Sequence, residues 1–220
     1  RGVLYQSMGF AVLGEIIARV TGMPCSQFLH RELFEPLGMS NTALGAPDDW
    51  FSGQPAMVDR IVHVQVPPDH ISGTGWNWNS RYWRQLGAPW GGLLTTASDL
   101  SKFSQFLLRR GVTRGGRRLL SPAAIDAATR NQLIAMREVP DDERRCRPWG
   151  LGWRLNWPAH SANFGDLLGS RAFGHWGATG TVLWIDPDLD VFTVILTTNL
   201  GTVGTVSFED VEPCFSRVGL

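Results

Sequence analysis

The sequence predicts an α+β fold, with helices filling the first two thirds of its 220 residues and consecutive antiparallel strands following them. Apolar side chains recur at helical spacing in residues 5–22, 24–35 and 96–110. By contrast, residues 179–185 and 191–197 are rich in β-branched and aromatic side chains, and Asp186-Pro187-Asp188 between them supplies turn chemistry, so the pair reads as a hairpin. This organisation gives a helical part at 1–148 that carries a long loop at 43–95, a sheet part at 149–200 and an irregular tail at 201–220.

The first helix is expected over 5–22. Phe10, Leu13, Ile16, Ile17 and Val20 form its apolar stripe, Ser7 is a candidate N-cap, and Gly22 stands where a left-handed C′ residue belongs. Tyr5-Gln6-Ser7 therefore marks a helix entrance. A second helix is expected over 24–35, with Pro24 near its first turn and Phe28, Leu29, Leu33 and Phe34 on one face, and Pro36-Leu37-Gly38-Met39 ends it. Residues 43–95 lack sustained periodicity and concentrate Gly, Pro, Asp and Trp; so long a stretch inside a compact domain is either functional or irregular but packed. Trp76, Trp78, Tyr82, Trp83 and Trp90 within it make a candidate apolar substrate pocket, although each taken singly is accounted for by packing the loop down.

Thr96 followed by Asp99 gives a capping-box-like start to a helix reaching Arg110, with Gly111 closing it and Phe103, Phe106, Leu107 and Leu108 as its buried stripe. Ser121-Pro122 opens a further helix to Asn131 with an N-cap serine and an N1 proline. The mixed charges of 137–148 read as a solvated loop. Strand character resumes over 149–155, and a loop over 157–171 leads into the hairpin. Just ahead of that hairpin, His175-Trp176-Gly177 places a polar ring at a strand entrance and, two residues on, a glycine whose backbone a ligand can approach closely. The tail over 201–220 carries no helical pattern.

Composition limits the function classes. Twenty basic residues balance twenty acidic ones, which removes the electrostatic case for nucleic acid or an anionic membrane surface. No run approaches the roughly 20 apolar residues of a membrane-spanning helix, and no signal-peptide pattern opens the chain. Three widely spaced cysteines, Cys25, Cys146 and Cys214, form no CxxC or Cys/His cluster, so they read as free thiols, and neither a metal nor another cofactor is implied. Lys102 is the sole lysine, and position 99 is an aspartate, so the sequence contains no Ser-x-x-Lys; nor does it contain Gly-x-Ser-x-Gly.

Gly174-His175-Trp176-Gly177-Ala178-Thr179-Gly180 followed by Trp184-Ile185-Asp186-Pro187 resembles the third motif of the class C β-lactamase and penicillin-recognising serine hydrolase family, written Lys-Thr-Gly or His-x-Gly. Leu4-Tyr5-Gln6-Ser7 and the helix after it resemble the second motif, Tyr-x-Asn or Tyr-x-Ser. The stretch from Leu33-Phe34-Glu35-Pro36-Leu37-Gly38-Met39 to Thr42, the block Gly91-Gly92-Leu93-Leu94-Thr95-Thr96-Ala97-Ser98-Asp99-Leu100 and Gly150-Leu151-Gly152-Trp153 are similar to further family blocks in the same order. The resemblance implies a β-lactamase/transpeptidase-like fold whose N-terminal strands and nucleophile helix, with the Ser-x-x-Lys, would precede Arg1.

The resemblance also implies site roles. Tyr5 would take the proton of a nucleophilic serine, for which a phenol of unperturbed pKa near ~10 needs neighbouring positive charge. Ser7 would contact substrate or orient the motif lysine, and His175 would support the tyrosine from the sheet edge. Trp176, Gly177 and Ala178 would line the substrate site, the Ala178 N–H serving as one arm of an oxyanion hole. Histidine at 175, largely neutral at pH 7, favours esters, amides or D-amino-acid peptides as small-molecule substrates and puts a β-lactamase proper second. The chain alone is expected to be inactive. Two other readings stay open: a non-catalytic binding relative of the same fold, and a piece completed by a missing N-terminal segment or a second chain. Family members are often secreted or periplasmic, but the compartment is undetermined.

Overall fold

The computed structural model describes residues 2–66, 77–146, 148–156 and 167–198. Trp76, the 201–220 tail and most of the 157–171 loop lie outside these residues, as do Cys214 and the side chain of Cys146; Cys25 is a free thiol. The mixed helix and antiparallel-sheet fold expected from the sequence is what forms. The described residues divide into two compact units, one holding 6–103 with Thr197 and Thr198, the other holding the residues up to Tyr5 and 104–196.

The first unit begins with α1 (Met8–Thr21), which ends at Gly22 in the left-handed conformation, φ 70°, as its sequence predicts. Gly14 is buried against Pro89, where a Cβ would lie 2.6 Å from Pro89 Cγ. Most of the α1 apolar stripe is nevertheless exposed, with Leu13 and Ile16 about half accessible and Val20 80% exposed. Among the described residues no single helix is long and apolar enough to cross a membrane. The second predicted helix is broken into α2 (Cys25–Leu29), a π-helical turn (His30–Phe34) and α3 (Glu35–Leu37), which stops at left-handed Gly38. The region expected to be one long loop contains short elements: β1 (Ala43–Leu44), 3₁₀ turns at Asp48–Phe51 and Met57–Arg60, α4 (Arg81–Leu86) and β2 (Leu93–Leu94). β1 and β2 pair antiparallel at Ala43↔Leu94. Gly45 and Gly87, both at positive φ, let their two loops touch backbone to backbone, and a Cβ on either would come within 2.8 Å of the other loop.

Asp99 holds this unit together. It is 0% exposed and lies near the start of α5 (Ala97–Leu108), whose last residues belong to the second unit. One carboxylate oxygen accepts the Asn41 N–H at 2.8 Å and the Thr42 hydroxyl at 2.9 Å. The other accepts Lys102 Nζ at 2.7 Å, and Lys102 also donates to the Gly38 carbonyl. The expected capping box at the head of α5 is thus only half formed. Thr96 Oγ1 accepts the Asp99 N–H, while the Asp99 side chain turns away to fasten the α3–β1 connection.

The second unit contains α6 (Pro122–Ala128), capped by Ser121 Oγ accepting the Ala124 N–H at 3.1 Å. The stretch expected to be a solvated loop instead forms α7 (Asp141–Cys146), with three acids in its first turn and Arg144 and Arg145 in its last, the order that the helix dipole favours. The sheet runs in the order β3 (Arg154–Leu155), β4 (Phe173–Gly177), β5 (Thr181–Asp186), β6 (Val191–Leu196), each pair antiparallel. Residues 149–153 turn rather than extend: the Gly150 N–H bonds the Trp153 carbonyl and Gly152 sits at φ 80°. Phe173, Val182 and Ile185 fill the core of the sheet. Asp186, 0% exposed, accepts the Gly169 N–H at 2.6 Å and the Asp188 N–H at 2.8 Å, pinning the hairpin turn to the chain that leads into β4.

Asp99→Ala strands two donors and an ammonium group, and is expected to cost about 3 kcal/mol, read as a lower urea midpoint. Asp126→Ala, which removes only an exposed ion pair with Arg110, should leave that midpoint nearly unchanged.

Candidate active site

Within the second unit the N-terminal segment, the 149–153 turn and β4 converge on a cluster of rings. Tyr5, 50% exposed, stacks on His175 with centroids 5.9 Å apart and planes 28° apart, and on Trp149 at 6.0 Å and 27°. Trp176 completes the group, 6.4 Å from Tyr5 and 5.7 Å from His175. Beneath them lies Arg154 of β3, with its guanidinium 4.6 Å from the Trp176 ring centre, 4.7 Å from Trp149 and 5.9 Å from Tyr5.

His175 Nδ1 lies at hydrogen-bond distance from the Trp176 carbonyl. A carbonyl can only accept, so Nδ1 carries the proton and Nε2 presents a lone pair in the neutral ring. Burial pushes the imidazole below its ordinary value of 6.5, the Trp176 carbonyl pulls it back, and the positive charge of Arg154 lowers it further. His175 is therefore neutral at pH 7 and able to receive a proton.

Gly177 closes β4 opposite Thr181 and admits no side chain, since a Cβ there would lie 2.5 Å from Thr181 Oγ1. The turn that follows is held by the Gly180 N–H bonding the Gly177 carbonyl, which leaves the N–H of exposed Ala178 outside that bond. Tyr5, His175 and Trp176 are thus gathered, with Gly177 and Ala178 at the end of the same strand. Ser7 belongs to the other unit. Its carbonyl accepts the Phe10 and Ala11 N–H groups, but its exposed side chain makes no capping bond. Trp78, Tyr82, Trp83 and Trp90 also lie in the other unit, on or near α4, the first and third half-buried and the others exposed; Trp76 is outside the described residues. A cavity of about 530 Å³ in the sheet unit, floored by Ile125, Leu155, Phe173 and Ile185, is lined by none of the sequence-predicted site residues. The ring cluster also holds Trp149 and Arg154, which sequence reasoning did not single out. The available signal was a charged side chain in an otherwise apolar Gly-Leu-Gly-Trp strand.

A family model described as Beta-lactamase matches residues 1–210. A relative from Salmonella enteritidis PT4, provisionally named D-alanyl-D-alanine carboxypeptidase, is 27% identical over 206 residues, covering 88% of this chain and 44% of that protein. The chain therefore spans less than half the length of the curated relatives it matches. Among solved structures, a penicillin-binding protein homologue from Caulobacter crescentus superposes with a TM-score of 0.64 at 25% identity, over 85% of this chain and 50% of that one. A family VIII carboxylesterase, with a TM-score of 0.61 and 21% identity over 85% and 50% of the two chains, shares the fold.

Because the fold disfavours a protonated His175, the unfolded chain takes up that proton first as the pH falls through about 6.5, and stability drops from there downward until the folded imidazole also protonates. The loss of stability between about pH 7.5 and about pH 5.5 should be smaller in His175→Gln than in the wild type, measured by urea unfolding at the two values.

Proposed function

The chain belongs to the Beta-lactamase family, and on that premise we propose that it forms part of a serine hydrolase that works through an acyl-enzyme on esters, amides or D-amino-acid peptides. The observation that carries the reading is the stacking of Tyr5 on His175 at the sheet edge, with the Gly177–Ala178 backbone at the end of the same strand. A nucleophilic serine, supplied by sequence outside these 220 residues, attacks the substrate carbonyl. Tyr5 accepts the hydroxyl proton, and His175, protonated on Nδ1, offers its Nε2 lone pair to the tyrosine hydroxyl or to substrate. The Ala178 N–H donates to the developing oxyanion, an interaction typically worth about 3 kcal/mol. Collapse of the tetrahedral intermediate breaks the bond to the leaving alcohol or amine, which takes the proton from Tyr5; water then gives a proton to Tyr5 as it attacks the acyl-enzyme, and collapse of the second intermediate releases the acid as that proton passes to the serine.

Substrate choice follows from charge. A lysine in the third motif offers a permanent cation to a substrate carboxylate, whereas a buried, neutral His175 does not. This favours esterase or peptidase chemistry over β-lactam hydrolysis, in keeping with the names of the Salmonella relative and the carboxylesterase. The chain alone, which has no Ser-x-x-Lys, is expected to lack turnover. The second reading is a non-catalytic binding relative of the same fold.

The two readings part in one experiment. The chain is compared with a form extended by its own upstream coding sequence, using p-nitrophenyl acetate, nitrocefin and a fluorophosphonate label read by intact mass. Labelling and ester turnover in the extended form, reduced about 10²- to 10⁴-fold by Tyr5→Phe, support the hydrolase. No label in either folded form sinks it and leaves the binding relative.

A further inference from the structure

Tyr5 sits on a stretch with no regular structure of its own. Residues 2–5 belong to no helix or strand, and Tyr5 is the last of them in the sheet unit before the chain passes on at Gln6. The backbone just ahead of the ring is nevertheless fixed from far along the sequence. The carboxylate of Glu143, half-buried on α7, accepts the Val3 N–H at 2.8 Å across 140 positions. Its other oxygen lies against Gly2, where a Cβ would come to 3.0 Å from Glu143 Oε1. A carboxylate that accepts from a main-chain N–H makes one of the stronger hydrogen bonds open to a protein.

α7 hangs from the same short stretch as the ring on which Tyr5 stacks. The Asn131 amide donates to the Arg144 carbonyl of α7 at 2.8 Å, and its oxygen accepts the Leu133 N–H at 3.0 Å. The neighbouring Gln132 N–H donates to the Trp149 carbonyl at 2.7 Å. Asn131 and Gln132, just beyond α6, therefore fasten α7 on one side and Trp149 on the other. Tyr5 is reached from both: its ring stacks on Trp149 at 6.0 Å and on His175 at 5.9 Å, and its backbone is tethered to α7 two residues upstream. Two residues of chain span at most about 7 Å, so a fixed Val3 leaves the ring a short range.

We infer that Glu143 is a positioning residue of the site: by holding the Val3 N–H, its carboxylate keeps the Tyr5 ring on Trp149 and His175. It acts through the main chain of residues 3–5 and not on substrate. Its catalytic meaning rests on the hydrolase reading, in which Tyr5 accepts a proton and a misplacement of about 1 Å costs about 10²-fold in rate. The charged stretch that sequence alone offers as a solvated loop thereby acquires a task at the site. The ring contacts favour the same placement of Tyr5, and the two causes are separable because only one depends on Glu143.

The test is ¹⁹F NMR of the full chain labelled with 3-fluorotyrosine, read beside hydrogen exchange at the Val3 amide. The chain has two tyrosines, and Tyr82→Phe leaves the Tyr5 signal alone. The ring currents of Trp149 and Trp176 displace that signal from its unfolded position. Glu143→Ala should carry it at least halfway back and speed Val3 exchange about tenfold or more. Glu143→Gln keeps an oxygen that accepts the Val3 N–H and should stay near the wild type. Near-UV circular dichroism reports the fold of each variant, and Glu143→Met is read in the same way should the alanine variant not fold. An unmoved Tyr5 signal in a folded variant without the acceptor would overturn the inference, as would an equal movement in Glu143→Gln. In the form extended by its upstream sequence, Glu143→Ala should lower kcat about 10- to 10²-fold and leave KM within about twofold. An unchanged kcat there would overturn the catalytic part. The NMR reading needs neither nucleophile nor substrate. If it behaves as expected while the extended form hydrolyses nothing, the hydrolase reading fails and the tether stands.

Discussion

A guanidinium shut away from water is the constraint on which the sheet unit depends. Removing a cation from solvent is costly, and Arg154 is retained at 9% exposure because aromatic faces replace part of its hydration. Each such face contributes about 0.5–2 kcal/mol. They come from well-separated parts of the sequence: Tyr5 from the N-terminal segment, Trp149 from the turn before β3, Trp176 from β4. The rings around this one buried charge include those that the proposed chemistry uses, Tyr5 stacked on His175 among them.

Two buried carboxylates play the corresponding part for the loops. Asp99 gathers the Asn41 N–H, the Thr42 hydroxyl and Lys102 in one unit, and Asp186 gathers the N–H groups of Gly169, Asp188 and Leu189 in the other. In each case an acceptor-only side chain at 0% exposure pairs with donors that a loop would otherwise leave unsatisfied. The segments so fastened include the stretches singled out as family blocks. The blocks held by Asp99 are packing devices of their own unit, and in the other unit Asp186 fastens the chain that leads into the strand carrying His175.

Legibility in the sequence followed the physics of each element. Gly22, Gly38 and Ser121-Pro122 announced their helix ends because the signal is local, a left-handed C′ residue or a hydroxyl that caps. The β5–β6 hairpin was readable from two β-branched runs around Asp186-Pro187-Asp188. The 149–153 turn was read as strand because its apolar residues outweighed Gly150 and Gly152, whose turn geometry appears only when Trp149 bridges Arg154. α7 was missed because a short charged stretch has no apolar stripe to betray it, although its acid-first, base-last order fits the dipole. Ser7 was readable as a helix start but not as a side chain left uncapped. Motif spacing picked out Tyr5, His175 and Trp176, which the fold gathers into one cluster, whereas the place of Arg154 beside those rings shows only in its register opposite Gly174.

The end of β4, with Tyr5 stacked on His175, is the proposed wall of an acyl-transfer site. The most direct test is a crystal structure of the active protein inhibited by a phosphonate ester that mimics the tetrahedral intermediate. The account predicts the phosphonyl oxygen about 2.7–3.1 Å from the Ala178 N–H, with the Tyr5 hydroxyl beside the bridging serine oxygen and His175 next to it. An adduct whose oxygen points away from β4, with the Ala178 N–H left to solvent, would contradict it.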